Sequence, residues 1–339
     1  MRQIWIPRPG PPEVLELREA KDPWPGPGEA RIRVEAAGVN FADVVGRLGT
    51  YPDLPPMPVV PGYEVAGRVD AVGDGVETDW IGRDVLALTR FGGYSDVVCA
   101  PEIQVLTRPP GMDAEVGAAL LVNYVTAWQL LVVMGSLKRG ETVLVHSAGG
   151  GVGIAATQIA RHFGARVLGT ASAAKHDALK SLGVDDCIDY TREDFEARVR
   201  ELTHGRGVEL VLDPVGGSSF RKSFRCLAPT GRLGMFGMSS MTKGKTRSLL
   251  AVGRALVTTP WIFTPLRLMN ENKAVFGVNV GHLWEDVDRV RGWAESLLEL
   301  WHEGVVRPVI DSRFPFDQAA QAHHRLQDRK NLGKVLLVP

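Results

Sequence analysis

The sequence is short of cysteine. Its 339 residues include three, Cys99, Cys187 and Cys226, in separate segments with no CxxC spacing, which excludes a disulfide framework and gives no cysteine zinc knot. Net charge is lacking as well. Thirty-nine basic side chains balance 39 acidic ones, which argues against nucleic acid as a partner and against a polybasic membrane anchor. No apolar run reaches the ~20 residues a bilayer span requires, and the uncharged stretch 255–266 is broken by Pro260 and Pro265. The opening residues Met1–Pro7 have no apolar core of a secretory signal. The 38 glycines and 22 prolines are scattered, not blocked, so low-complexity disorder is excluded. The expectation is a cytoplasmic protein with reduced thiols, for which membrane contact is not expected.

What is present is a change of texture near residue 120. Before it, short apolar runs such as Arg31–Val34, Val65–Val69 and Val85–Leu88 are bounded by glycine and proline, the pattern of a compact antiparallel barrel. Five prolines between Pro52 and Pro61 mark a surface loop, because proline cannot donate to a strand ladder. From Glu141 onward strand-length apolar runs alternate with helical segments. Strands are expected at 142–146, 166–170, 187–190, 208–213, 232–237 and 274–280, with helices at 152–163, 173–182, 193–203 and 217–227. Six strands joined by crossovers fit an α/β fold, a Rossmann-type doubly wound parallel sheet. The excursion 238–272 breaks the alternation and carries Lys243, Lys245, Arg247 and Arg254 before Trp261-Ile262-Phe263. It reads either as a substrate cover or as a packing or dimer surface. The tail adds helices near 284–303 and 317–328 and strands near 307–311 and 334–338. It is expected to rejoin the N-terminal unit, giving domains at 1–122 and 123–281 with a returning segment at 282–339.

The sharpest local signal is Val143-Leu144-Val145-His146-Ser147-Ala148-Gly149-Gly150-Gly151-Val152-Gly153. A hydrophobic strand runs into a glycine-rich turn that opens a helix. Ala148, Gly150 and Gly153 occupy the three positions of a GxGxxG-type turn. The second lets backbone approach a pyrophosphate, and the third lets helix and strand pack closely. Gly150, Gly151, Val152 and Gly153 are therefore candidate dinucleotide contacts, the strands around them making more of the motif than a flexible turn. His146, ending the strand, reads as a satisfied buried imidazole.

The end of the second strand sets the flavour of cofactor. An NAD site usually carries a carboxylate there for the ribose 2′-hydroxyl. This chain reads Gly169-Thr170-Ala171-Ser172-Ala173-Ala174-Lys175, and no carboxylate comes before Asp177. Ser172 and Lys175 suit a 2′-phosphate, so NADPH is the expected cofactor. One charge-assisted hydrogen bond of about 1.5–3 kcal/mol corresponds to roughly 10- to 100-fold preference over NADH. The other reading of Lys175 is an ordinary solvated helix residue.

Over essentially its whole length the chain resembles the medium-chain dehydrogenase/reductase superfamily. The resemblance is carried by Pro12-Glu13-Val14-Leu15, Gly38-Val39-Asn40-Phe41-Ala42-Asp43, Pro61-Gly62-Tyr63-Glu64-Val65-Ala66-Gly67, the glycine-rich turn, Asp213-Pro214-Val215-Gly216-Gly217 and Gly333-Lys334-Val335-Leu336. Within the superfamily it looks like the quinone oxidoreductases of the zeta-crystallin branch. Met57–Gly62, Leu121–Ala127 and Gly169–His176 look most like the vesicle amine transport protein homologues. The resemblance implies a GroES-like β-barrel domain joined to the Rossmann domain, with the cleft between them, and a homodimer formed through the edge strand 274–280. The chain departs from the zinc alcohol dehydrogenases: Asn40-Phe41 stands where they carry Cys-His, Tyr63 stands for the His of Gly-His-Glu, and the four-cysteine lobe is missing. Asn, Phe and Tyr do not replace zinc ligands, so no metal is expected.

The chemistry then expected is hydride transfer from NADPH to an acceptor already electrophilic, a quinone or an α,β-unsaturated carbonyl. The resemblance places Asn40 and Asp43 beside the nicotinamide end and Tyr51 and Tyr63 as polar walls of the substrate pocket. Asn40 and Tyr51 are candidate oxyanion donors; Asp43 reads as a carboxylate that fixes a loop. Tyr51 has a second reading, a loop aromatic packed under prolines. Further cofactor contacts implied by position are Thr126, Tyr190 near the adenosine phosphate, Val215, Phe236, Gly237, Met238 and Asn331. Two alternatives from other classes stand beside this one: an enoyl-thioester reductase, and a weakly catalytic, membrane-associated binding protein.

Overall fold

A computed structural model describes residues 1–242, 253 and 263–339 of the chain. The first third is shaped by period-two alternation. An antiparallel pair, β1 (Arg2–Trp5) and β2 (Glu16–Glu19), precedes β3 (Glu29–Val39), β4 (Glu64–Val72), β5 (Asp84–Leu88), β6 (Val97–Pro101) and β7 (Val105–Thr107). In β3 Ala30, Ile32, Val34 and Ala36 are buried while the residues between them face outward, as one covered face requires. At its end Ala37, Gly38 and Val39 are buried too, because the returning C-terminal strand closes over them.

The parallel sheet follows with β8 (Thr142–Val145), β9 (Arg166–Ala171), β10 (Asp186–Asp189), β11 (Val208–Asp213), β12 (Leu227–Met235) and β13 (Ala274–Gly277). Every pairing in it is parallel, in the order β10-β9-β8-β11-β12-β13. Counted within the sheet this is 3-2-1-4-5-6, the doubly wound order, with the reversal between β8 and β11. β12 begins five residues earlier than expected. Pro229-Thr230-Gly231 reads as a turn, but the register shift against β11 between Val208 and Leu210 absorbs it as a bulge.

The tail rejoins the first sheet. β14 (Ile310–Pro315) pairs with β15 (Lys334–Val338), and β15 pairs antiparallel with β3, giving the order β14-β15-β3-β4-β5-β7 with β6 also on β3. β14 starts three residues later than expected because Pro308 cannot donate to a ladder. Helix Val287–His302 buries Val290, Ala294, Leu297 and Leu300, one face of a 3.6-residue period. One buried cluster runs from Ala36 and Leu86 of the first sheet through Leu121, Tyr124 and Val125 to Val143 and Leu210, and on to Leu297 and Leu336. Helix Leu121–Trp128 thus joins the two sheets through packed side chains, and the residues at their meeting line are held by a common core.

Of the excursion 238–272, residues 243–252 and 254–262, with the four basic side chains, Trp261 and Ile262, lie outside the described residues. Its described ends are the turn Ser239–Thr242 and helix Pro265–Glu271, started by Thr264 as cap and Pro265 at the first helical position. Among the described residues no helix is long and apolar enough to cross a membrane.

Candidate functional site

The glycine-rich turn lies at the carboxyl end of β8, beside the reversal point of the sheet. Ser147 adopts a positive φ of 56°, turning the chain sharply before helix Gly151–His162. A Cβ on Gly153 would lie 2.5 Å from the Ser147 carbonyl oxygen and 2.6 Å from that of Ala148, so only glycine lets the helix pack on the turn. The helix has Gly150 as its cap, no side-chain cap and no acidic residue in its first turn. Its first N–H groups are therefore free of side-chain acceptors and carry the positive end of the helix dipole. Backbone donors at a helix start with no capping or acidic side chain on them suit a pyrophosphate, and that is the fit of these residues to a dinucleotide.

The C-terminal segment completes the cradle. Gly333 N donates to Gly149 O at 2.9 Å, laying residues 331–333 along the turn. Lys175 is half buried, and its Nζ donates to Arg329 O (2.9 Å) and Asn331 O (2.5 Å); burial holds its pKa below the ordinary lysine value. It is not a freely solvated helix residue. Beside it opens a cleft of about 480 Å³ lined by Ser172, Lys175, Arg325, Arg329 and Lys330 together with Asp311 and Leu332. Asp311 is taken by Arg325 at 2.8 and 3.0 Å, which leaves Lys175 and Arg329, with Lys330 in a loose 3.6 Å pair with Asp328, as the cleft's cationic lining. Arg329 and Lys330 were not among the residues expected here. Asn331 turns its own amide to Gly333 O at 2.8 Å, so it holds the turn with its side chain. Tyr190 follows β10, one residue beyond the Asp189–Ala171 pair with β9, which puts it beside Ser172 at the same sheet end; it is 41 % exposed and is not among the residues lining the cleft.

A second group assembles where β11 and β12 end. Asp213 Oδ1 accepts from Val215 N (2.7 Å) and Gly216 N (3.3 Å). Ser239 N and Ser240 N donate to Pro214 O and Val215 O at 3.0 and 2.9 Å. A Cβ on Gly216 would lie 3.0 Å from Met238 Cα, and one on Gly237 would lie 2.9 Å from Pro214 O. Val215, Phe236, Gly237 and Met238 therefore form one packed pair of turns. Thr126 spends its hydroxyl hydrogen on Val122 O at 2.6 Å, inside helix Leu121–Trp128.

The third group faces the meeting line of the sheets. Asp43, on the first turn of helix Phe41–Arg47, is buried; it accepts from Asn40 N (2.7 Å), Gly62 N (3.0 Å) and Tyr94 Oη (3.1 Å). Burial pushes its carboxyl up to about 7 against the pull of these donors. It ties the 40–43 turn to the 61–63 turn, the loop-fixing role read from sequence. Asn40 requires a correction. Its Nδ2 donates to Glu64 Oε1 (3.1 Å) and Gly38 O (3.3 Å), and its Oδ1 accepts from Lys334 Nζ (2.6 Å). With both amide hydrogens engaged in a buried site, it has none to offer a substrate oxygen. Lys334 Nζ and Glu64 Oε1 are 2.5 Å apart, at 3 % and 0 % side-chain exposure, and Glu64 Oε2 accepts from Val122 N at 2.8 Å. Both were visible as charges inside apolar strands, a pattern that signals pairing.

Tyr51 and Tyr63 stand edge to face, centroids 6.2 Å apart, and Tyr63 stacks at 5.2 Å on Phe91. Burial raises both hydroxyls above the ordinary tyrosine value, while Tyr63 and Asn279 each pull Tyr51 back down. Asn279 follows β13, so this contact crosses from one sheet to the other. A Cβ on Gly281 would sit 3.2 Å from Tyr51 Oη. Asp53 Oδ2 and His282 Nε2, 2.6 Å apart, repeat the crossing nearby. Tyr51 is thus hydrogen-bonded to both Tyr63 and Asn279. Asn279, Gly281 and Phe91 were missed because nothing local marks them; only the fold brings them to Tyr51.

The residues do not fit a catalytic zinc. Asn40 and Tyr63 occupy the positions that would bear ligands, Glu64 is committed to Lys334 and Val122, and among the described residues there is no group of three or more His, Cys, Asp or Glu able to hold a metal. Comparison with known proteins gives two family matches, an alcohol dehydrogenase GroES-like domain over residues 26–129 and a zinc-binding dehydrogenase domain over residues 151–296. The human synaptic vesicle membrane protein VAT-1 homolog is 43 % identical over 326 residues, covering 96 % of this chain and 82 % of that protein. A quinone oxidoreductase of Pseudomonas aeruginosa is 35 % identical over 334 residues, covering 97 % of each. The crystal structure of Escherichia coli quinone oxidoreductase complexed with NADPH superposes with a TM-score of 0.87 at 29 % identity, covering all of both chains. With the 3-2-1-4-5-6 sheet, the returning C-terminal strand and the cradle already described, the chain belongs to the medium-chain dehydrogenase/reductase superfamily, close to the VAT-1 homologues and quinone oxidoreductases within it.

Proposed function

We propose that this protein is a zinc-independent, NADPH-dependent oxidoreductase that reduces a quinone or an α,β-unsaturated carbonyl. The observation that carries the reading is the cleft at the end of β9, where Ser172, Lys175, Arg329 and Lys330 gather and the one carboxylate is neutralised by Arg325. A 2′-phosphate finds donors and cations there, whereas a site for NADH would present a free carboxylate. When bound, the reduced nicotinamide supplies the hydride.

The protein's own part is positional and electrostatic. The N–H groups of Gly151–Gly153 receive the pyrophosphate. Asp43 locks the 40–43 and 61–63 turns that carry the tyrosine wall. Tyr51, held protonated at neutral pH by burial and flanked by Tyr63 and Asn279, donates to the acceptor oxygen on which negative charge develops. Tyr63 and Phe91, stacked beside Tyr51, shield it from water. Asn40, with Lys334 and Glu64, sets the floor without touching the acceptor. A cytoplasmic setting and a homodimer joined through the free edge of β13 belong to the same proposal; among the described residues β13 ends the sheet, and an open strand edge favours pairing.

The test is NADPH oxidation against 1,4-benzoquinone, 9,10-phenanthrenequinone, methyl vinyl ketone and crotonyl thioester. Turnover of a quinone or the enone supports the proposal. Turnover of the thioester alone would assign an enoyl-thioester reductase instead, and NADPH binding without turnover of any acceptor would assign a binding protein.

A further inference from the structure

The three turns of the dinucleotide site come from strands far apart in sequence, yet one chain of hydrogen bonds runs beneath them. Ser147 N lies 3.3 Å from Thr170 Oγ1, and Thr170 Oγ1 lies 3.1 Å from His146 Nδ1. His146 Nε2 lies 3.0 Å from Ser223 Oγ, and Ser223 Oγ lies 2.7 Å from Asp213 Oδ2. Asp213 Oδ2 also accepts from Ser219 Oγ at 2.7 Å, while Oδ1 accepts from Val215 N and Gly216 N. His146, Thr170, Asp213 and Ser223 are all buried.

The hydrogens of this chain have one consistent placement. A carboxylate receiving four donors only accepts, so Ser223 donates to Asp213. Ser223 Oγ is then the acceptor of the His146 Nε2 hydrogen. Burial keeps the imidazole neutral, so Nδ1 bears a lone pair and Thr170 donates to it. Thr170 Oγ1 in turn accepts from Ser147 N, the residue whose positive φ starts the glycine-rich turn. Asp213 thus sets the tautomer of His146 from two residues away in the network. Phe195 holds the imidazole edge-on with ring centroids 4.5 Å apart.

We infer that His146 is a positioning residue for the cofactor: through its two ring nitrogens it holds the cradle turn at Ser147–Gly150 in register with the paired turns 213–217 and 236–238. The inference rests on the proposed dinucleotide site and adds to it the device that joins its two halves. A packing role alone would need the ring shape. The network needs an acceptor and a donor on opposite sides of the ring, linked to two different strands.

The test compares NADPH affinity by calorimetry, and NADPH KM and kcat with 9,10-phenanthrenequinone, for wild type, His146→Phe, His146→Gln and Ser223→Ala. His146→Phe keeps a ring against Phe195 and removes both nitrogens. It is expected to raise the NADPH Kd and KM at least tenfold, with kcat at saturating NADPH and the acceptor KM changed less than twofold. His146→Gln, which keeps one acceptor and one donor, is expected to recover at least half of that loss on a logarithmic scale. Ser223→Ala leaves the imidazole in place, serves if His146→Phe does not fold, and is expected to raise Kd three- to tenfold. Wild type binding NADPH while the folded variants bind within twofold of it would overturn the inference alone. So would a His146→Gln no better than His146→Phe. A wild type giving no heat with NADPH would overturn the cofactor reading, and this inference with it.

Discussion

Replacing Lys334 with methionine removes one half of an ion pair that is almost wholly out of water. The ammonium and the Glu64 carboxylate are 2.5 Å apart, and their side chains are 3 % and 0 % exposed. In Lys334→Met the carboxylate keeps Asn40 Nδ2 and Val122 N as donors but loses its counter-charge. Breaking one partner of such a pair costs about 3–5 kcal/mol, because the remaining charge stays buried and uncompensated. With roughly 2.1 cal/mol/K of unfolding entropy per residue, a chain of 339 residues then loses about 4–7 °C in Tm. The double variant Glu64→Gln/Lys334→Met removes both charges, keeps an amide oxygen as acceptor for Val122 N, and leaves one polar group of the Asn40 amide unpaired, a smaller loss of about 1–3 kcal/mol. Thermal unfolding followed by circular dichroism is expected to rank wild type above the double variant and the double variant above Lys334→Met. A single variant within 1 °C of wild type, or a double variant less stable than the single one, would refute the reasoning.

Four further outcomes are expected. Lys175→Ala and Arg329→Ala each raise the NADPH KM about tenfold and leave the NADH KM within twofold; equal loss with both cofactors would remove the 2′-phosphate assignment. Tyr51→Phe lowers kcat about 100-fold with NADPH binding unchanged in calorimetry, the scale of a lost oxyanion donor. Gly281→Ala, whose new methyl would sit 3.2 Å from Tyr51 Oη, lowers kcat/KM for the acceptor several-fold without moving the NADPH Kd. The fourth concerns acid. Burial holds His146 below and His323 well below the ordinary histidine value, so as pH falls through about 6.5 the unfolded chain takes up as many as two protons ahead of the native state. Asp43, raised to about 7, gives the native state one extra proton between about pH 4 and 7. The net is at most one proton in favour of unfolding, so stability falls by up to about 1.4 kcal/mol per pH unit from pH 6 towards 5. Urea titrations at several pH values measure this slope, and His323→Gln is expected to flatten it.

The parallel sheet was legible because each strand is a short apolar run closed by turn residues and followed by a helical period. Val208–Asp213 is the clearest case, every residue but Glu209 being buried. The cradle was legible for a local reason: Gly153 is required by backbone contacts within six residues. The rest of the site depends on long-range closure. Lys175 meets carbonyls of residues 329 and 331, Tyr51 meets Asn279, and Asn40 meets Lys334, and no local pattern encodes those encounters. Asn40 shows the consequence. By residue type it offers an amide donor, and only its neighbours reveal that the donor is already used. Lys334 and Glu64 carried a usable signal, since a charge within a buried strand demands a partner. Tyr190 was placed by resemblance alone; the β9–β10 register sets it beside Ser172, a neighbourhood that no local pattern encodes.

The central claim is that NADPH serves this protein as hydride donor without a metal. Its most direct test is steady-state turnover of 9,10-phenanthrenequinone by enzyme stripped with a strong chelator, with NADPH and NADH compared side by side. The account predicts full activity after stripping and a kcat/KM at least tenfold higher with NADPH. Activity that vanishes on stripping and returns with zinc, or equal use of the two coenzymes, would contradict it.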